Sequence, residues 1–190
     1  AYYVEEIDGA FSASISELEL EKPPDGFVQI QVSCSSLNYK DALSASGNKG
    51  VTRNYPFVPG IDAAGTISDA NSSNFVEGDE VLVTGYDMGM NTPGGFGEFI
   101  NVPANWVVEK PSALTSIEAM SIGTAGLTAA ASVLKIQESS QESDLPVLVS
   151  GATGGVGSIG VMLMSKLDKE VTALTGKSSS ADFLKSIGAK

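Results

Sequence analysis

The 190-residue sequence has no histidine, one cysteine and one arginine. Without histidine there can be no histidine-based catalytic triad and no ordinary zinc site. A single cysteine permits no intrachain disulfide and suits a reducing compartment, so a cytoplasmic location is expected. Cations are scarce: 11 Lys plus Arg face 23 Asp plus Glu, a formal net charge of −12. So acidic a surface repels phosphate backbones and anionic lipid, which argues against nucleic-acid and membrane partners. The segment Ala1 to Ala10 carries Glu5, Glu6 and Asp8, the opposite of a basic leader. The longest mostly apolar, uncharged stretch lies between Glu118 and Lys135 and includes Ser121, Gly123, Thr124, Gly126, Thr128 and Ser132. It is expected to be too short and too polar to span a bilayer. The 21 glycines follow no fixed period, which excludes collagen and solenoid repeats.

What is present changes character along the chain. From Phe27 to Cys34, Val28, Ile30, Val32 and Cys34 alternate with Gln29, Gln31 and Ser33, the period of a strand with one buried face. Further short β runs are expected at Ala63 to Ile67, Val81 to Thr84, Phe99 to Val102 and Trp106 to Val108. Turn formers separate them, among them Asn71-Ser72-Ser73-Asn74, Gly78-Asp79 and Pro93-Gly94-Gly95. This spacing predicts a small barrel-like β domain over 1–113. Ser116 can then cap a helix running to about Ile136, and a polar loop from Gln137 to Asp144 leads into a strand at Pro146 to Val149. A helix from Val156 to about Leu167, a strand at Val171 to Thr175, and a helix capped by Ser179 or Ser180 and stopped at Gly188 complete the pattern. Alternating strands and helices predict a parallel sheet over 114–190. Two strands are fewer than the roughly six of a dinucleotide fold, so the sequence is expected to be the N-terminal portion of a longer α/β protein.

Between the first of those strands and its helix lies Ser150-Gly151-Ala152-Thr153-Gly154-Gly155-Val156-Gly157. Glycines let main-chain amides approach a pyrophosphate, and a helix N-terminus faces its charge. The spacing G-x-x-G-x-x-G is one residue longer than the standard fingerprint, and no Gly-Lys-Ser/Thr follows, which disfavours an ATP-binding P-loop. A ligand-free tight turn is the alternative, although four glycines in seven residues weaken a turn unless something must come close. An NAD site wants a carboxylate roughly 20 residues further on. Here the chain reads Ala173-Leu174-Thr175-Gly176-Lys177-Ser178, whose lysine and hydroxyls suit a 2′-phosphate and so predict NADPH. A solvated loop lysine is the plainer fate of Lys177. Ser35-Ser36-Leu37-Asn38-Tyr39-Lys40-Asp41 packs hydrogen-bonding groups where a strand ends, as either a polar turn or a site. Arg53 could meet an anionic substrate or make a surface salt bridge.

The runs N-Y-K-D from Asn38, P-G-I-D-A-A-G-T from Pro59, Gly78-Asp79-Glu80-Val81, Gly94 to Phe99, Gly123 to Ala129 and the G-A-T-G-G-V-G loop occur in that order. Together they resemble the medium-chain dehydrogenase/reductase superfamily, and within it the zinc-free quinone oxidoreductase branch that includes acrylyl-CoA reductases. The resemblance covers essentially the whole chain. It implies a GroES-like β-barrel domain followed by a partial Rossmann domain, with the active site in the cleft between them. Zinc-dependent relatives carry a cysteine within the stretch matching Asn38 to Asp41 and a histidine near Ile61. Neither is present here, so no metal is expected.

The resemblance also assigns roles. Thr153, Gly154, Gly155 and Val156 match the pyrophosphate loop, and Thr175, Gly176 and Lys177 the 2′-phosphate clamp, where relatives often have arginine. Tyr39 matches a tyrosine against the nicotinamide half of NADPH, and Thr124 falls near the same ring unless it serves only its own helix. The implied reaction is hydride transfer to the β-carbon of an α,β-unsaturated thioester or ketone, or to a quinone. Charge builds on the carbonyl oxygen and a proton is added at the α-carbon. Tyr39, Asn38 and Asp41 are the catalytic candidates and Arg53 the substrate-binding one, with Asp41 alternatively a helix cap. A nucleotide-binding sensor or structural protein without turnover is the competing reading. Relatives imply a homodimer at full length.

Overall fold

The structure is a computed structural model and describes residues 1–71, 73–139 and 145–190. It divides into two compact units, Ala1–Gly123 and Thr124–Lys190.

The first unit opens with the hairpin β1 (Tyr2–Ile7) and β2 (Ala10–Ile15), turned at Asp8-Gly9, where both residues take positive φ. Asp-Gly supplies that geometry readily. Next come β3 (Phe27–Cys34), the short helix α1 (Tyr39–Ala45), β4 (Asp62–Asp69), β5 (Glu80–Thr84), β6 (Phe99–Pro103) and β7 (Val108–Glu109). The last five strands form one antiparallel sheet in the order β6-β3-β4-β5-β7. The period of two in β3 is realised: Val28 and Ile30 are fully buried and pack with Ala63, Ile67, Val81, Val83, Ile100 and Val102. Each buried Val or Ile contributes about 1.5–3 kcal/mol. Trp106, expected to open the strand to Val108, instead ends a 3-10 turn over Ala104–Trp106. There Trp106 stacks on Tyr86, rings 5.0 Å apart and 2° from parallel.

Helix α2 (Ser116–Ser139) begins one residue after its cap. Thr115 takes that role instead of Ser116: its N–H and hydroxyl both donate to Glu118 Oε2, and its Oγ1 accepts the Glu118 N–H. Those bonds hold the Glu118 carboxyl below the usual glutamate range, the main-chain N–H having the larger effect. By length and composition α2 is long and apolar enough to cross a membrane, contrary to the sequence expectation. Gly123, however, has φ 48° and ψ −157°, so the 24 residues are two helical lengths and not one rod. The longer length, 124–139, rises about 24 Å, short of the ~30 Å hydrocarbon core.

The second unit holds β8 (Val147–Ser150), α3 (Gly155–Lys166), β9 (Val171–Leu174) and α4 (Ala181–Ser186). β8 and β9 pair in parallel, Val147 opposite Val171 through Ser150 opposite Leu174. Val133, Ala152, Val161, Met164, Val171 and Leu184 make its core. α4 ends before Gly188, whose φ of 108° stops it as expected. Of the polar loop expected at Gln137 to Asp144, Gln137 to Ser139 belong to α2 and 140–144 lie outside the described residues, as does Ser72 of the expected Asn71–Asn74 turn. The units divide ten residues beyond the sequence boundary, because Ala119 and Met120 of the first helical turns pack with Ala64 in the first unit.

Candidate functional site

In the second unit the glycine loop leaves β8 and turns into α3. Gly151 takes φ 60°, the Gly154 N–H returns to the Gly151 carbonyl at 2.9 Å, and Gly154 stands at the N-cap in extended conformation. Gly154, Gly155 and Val156 are exposed. They present the first-turn amides of a 12-residue helix, the polarity an anion needs. Gly157 serves packing: a Cβ there would strike the Gly151 carbonyl and lie 2.8 Å from the Ala152 Cα, so only glycine lets the helix come so close to the turn.

The end of the neighbouring strand meets this loop. Thr153 Oγ1 and Thr175 Oγ1 are 3.4 Å apart, and the Lys177 N–H donates to Thr175 Oγ1 at 3.1 Å. Gly176 has open space around its Cα, and Lys177 is exposed. The structure thus brings the two predicted cofactor segments together, and the chain from Ala173 to Ser178 holds no carboxylate to oppose an extra phosphate. These groups fit a phosphorylated dinucleotide. Thr124 begins the second helical length of α2, and its carbonyl accepts the Thr128 hydroxyl at 2.7 Å.

In the first unit Asn38 is the N-cap of α1, and Tyr39 follows it 80% exposed. Asp41 is buried and faces inward: one oxygen accepts the Asn38 N–H at 2.8 Å and the other the Ile61 N–H at 2.9 Å. Burial pushes its carboxyl above the ordinary aspartate range, while the bonds from the Asn38 and Ile61 amides pull the other way. Asp41 therefore fixes α1 to the Pro59–Asp62 run. Arg53 lies exposed on the loop after α1, and among the described residues it makes no ion pair. Lys49 Nζ reaches its carbonyl at 3.4 Å, pairs with Glu6, and lies over the rings of Phe11 and Tyr55. No group of three or more Cys, Asp or Glu suited to a metal occurs among the described residues.

Sequence reasoning missed the partners behind this constellation. Asp62, fully buried at the start of β4, accepts a hydrogen bond from Asn38 Nδ2 at 2.9 Å. Ser36 Oγ donates to the Met120 carbonyl at 2.6 Å, and Ser35 Oγ to the Gly95 carbonyl. A lone carboxylate inside the apolar run Val58 to Ala64 was the available signal.

Residues 24–112 match the alcohol dehydrogenase GroES-like domain family. AcuI of Escherichia coli K12, provisionally named an acrylyl-CoA reductase, is 42% identical over 190 residues, 100% of this chain and 59% of its own. YhfP of Bacillus subtilis strain 168, provisionally named a quinone oxidoreductase, is 42% identical over 179 residues, 94% of this chain and 54% of its own. The crystal structure of Bacillus subtilis YhfP with NAD bound is similar at a TM-score of 0.94 and 41% identity, covering 100% of this chain and 58% of that one. The YhdH oxidoreductase of Salmonella enterica in complex with NADP has a TM-score of 0.94 at 43% identity, covering 100% and 59%. The chain spans under two thirds of the length of these relatives. The chain is thus similar along nearly all of its residues to these reductases and quinone oxidoreductases and shares their fold, with a GroES-like domain over residues 24–112.

Proposed function

We propose that the full-length protein is an NADPH-dependent oxidoreductase that reduces the C=C bond of an α,β-unsaturated thioester or ketone of the acrylyl-CoA kind, or a quinone. The observation that carries this reading is the exposed glycine loop at the start of α3, with Thr153, Thr175 and Lys177 gathered beside it. The NADP-bound Salmonella relative and the name of the E. coli one support it. The NAD-bound YhfP leaves the choice of nucleotide to Lys177 and its neighbours in this chain.

When bound, the reduced nicotinamide supplies the hydride. The chain's own residues bind and orient. The first-turn amides at Gly154, Gly155 and Val156, with the Thr153 hydroxyl, hold the diphosphate. Thr175, Gly176 and Lys177 take the 2′-phosphate, and Thr124 serves the nicotinamide end. Tyr39 positions the ring and offers its hydroxyl as hydrogen-bond or proton donor. Asn38 orients the substrate carbonyl, and Asp41 orients Asn38 and Tyr39 by fixing α1. Arg53 provides a cation for an anionic substrate in an otherwise acidic unit. The working protein is a cytoplasmic homodimer in this reading.

Calorimetry on the full-length protein tests the cofactor half: NADPH should bind more tightly than NADH. Lys177→Ala should weaken NADPH about tenfold or more, the loss of a charge-assisted contact, and leave NADH within about twofold. Loss of reduced-nicotinamide absorbance with acrylyl-CoA or a quinone tests turnover. NADPH binding with no turnover on either substrate would favour a sensor instead.

A further inference from the structure

The carboxylate of Asp62 has no task in the scheme above, yet it is fully buried and its Oδ2 accepts a hydrogen bond from Asn38 Nδ2 at 2.9 Å. Burying a carboxylate is costly unless hydrogen bonds hold it, so its presence calls for a use. The surroundings are close. A Cβ on Gly123 would lie 2.7 Å from Asp62 Oδ2 and 2.5 Å from Ser36 Oγ, so the main chain at position 123 is packed onto the pair. The positive φ of Gly123 is a second reason that glycine stands there.

An ionised carboxylate accepts hydrogen bonds and donates none, whereas a side-chain amide does both from opposite ends. Facing Asp62, Asn38 therefore turns its nitrogen to the carboxylate, which leaves its Oδ1 for the capping box with the Asp41 main chain. The main-chain N–H of the same residue is held by Asp41 at 2.8 Å. Asn38 is thus gripped by two carboxylates, one on the backbone and one on the side chain, directly before the exposed Tyr39.

We propose that Asp62 is a positioning residue that sets the polarity of the Asn38 amide and so fixes in one sense how Asn38, at the cap of α1, meets the reacting groups. This rests on the role given to Asn38 above. An asparagine at position 62 would preserve size and hydrogen bonding but accept either orientation of Asn38, because it can donate as well as accept.

The test uses the full-length protein with Asp62→Asn, Asn38→Ala and the double variant. Asp62→Asn should fold, bind NADPH within about twofold of wild type, and lose about tenfold in kcat with little change in KM, the scale of one misdirected hydrogen bond. The double variant should be no slower than Asn38→Ala alone. The Asn38 side-chain amide resonances, followed with asparagine-selective ¹⁵N labelling, should shift in Asp62→Asn. Unchanged kcat, multiplying effects in the double variant, unmoved amide resonances, or failure of Asp62→Asn to fold would each overturn the proposal. A wild-type protein inactive on every enoyl thioester and quinone would sink the functional reading alone, since the amide resonances still report the orientation.

Discussion

Tyr39 is 80% exposed, and the hydrogen-bonding demands of its neighbours are met without it: Asp41 takes main-chain amides and Asp62 takes the Asn38 amide. A large aromatic left open beside so ordered a network is free for a ligand. Removing its hydroxyl should therefore spare the fold. Tyr39→Phe in the full-length protein should leave the melting temperature within about a degree and lower kcat about tenfold, if the hydroxyl donates in the transition state. Steady-state kinetics with NADPH check this, and unchanged constants would remove the hydroxyl from the mechanism. Asp41 is the opposite kind of residue. Its neighbours are main-chain N–H groups, so its loss would be read in stability.

At the scale of elements, the start of α2 shows how a cap responds to pH. The Glu118 carboxyl is held below its ordinary range by Thr115, so the folded state binds its proton more weakly than the unfolded chain does. The resulting stabilisation is present above the ordinary glutamate value, about 4.3, and fades as pH falls through the depressed one. Glu118→Gln should lower the melting temperature at pH 7, and the gap to wild type should narrow in thermal scans as pH falls below the ordinary glutamate value. Which elements were legible in the sequence follows from burial. β3 was readable because one face is buried and the other wet, and the glycine loop because a strand and a helix flank it. The hairpin β1–β2 was not read as such, since β2 is exposed almost throughout and shows no alternation. The break at Gly123 was invisible, because it arises from Ser36 and Asp62, distant in sequence, crowding one backbone position. Asp62 escaped for the same reason: its partner Asn38 is 24 residues away.

Across the whole molecule the charge is unevenly placed. Residues 1–123 hold 17 acids against 5 cations, and residues 124–190 hold 6 of each, so the entire imbalance of −12 belongs to the first unit. The glycine loop before α3 thus sits in a unit of no net charge, with little self-repulsion toward an anion. The first unit, by contrast, repels itself, and its two ion pairs among the described residues, Lys49–Glu6 and Lys110–Glu80, do little to offset it. Raising NaCl from about 0.02 to 0.3 M, which shortens the screening length below about 10 Å, should raise the melting temperature by a few degrees. A flat or falling response in scanning calorimetry would show that local ion pairs outweigh the net field.

The stacked Tyr86–Trp106 pair has a practical consequence. Trp106 is the one tryptophan of these 190 residues and lies in the first unit, with its indole flat against a phenol. Its intrinsic fluorescence is therefore a reporter built into the 85–106 region: the emission maximum and quenching follow separation of those two rings, while the second unit stays optically silent at the same excitation.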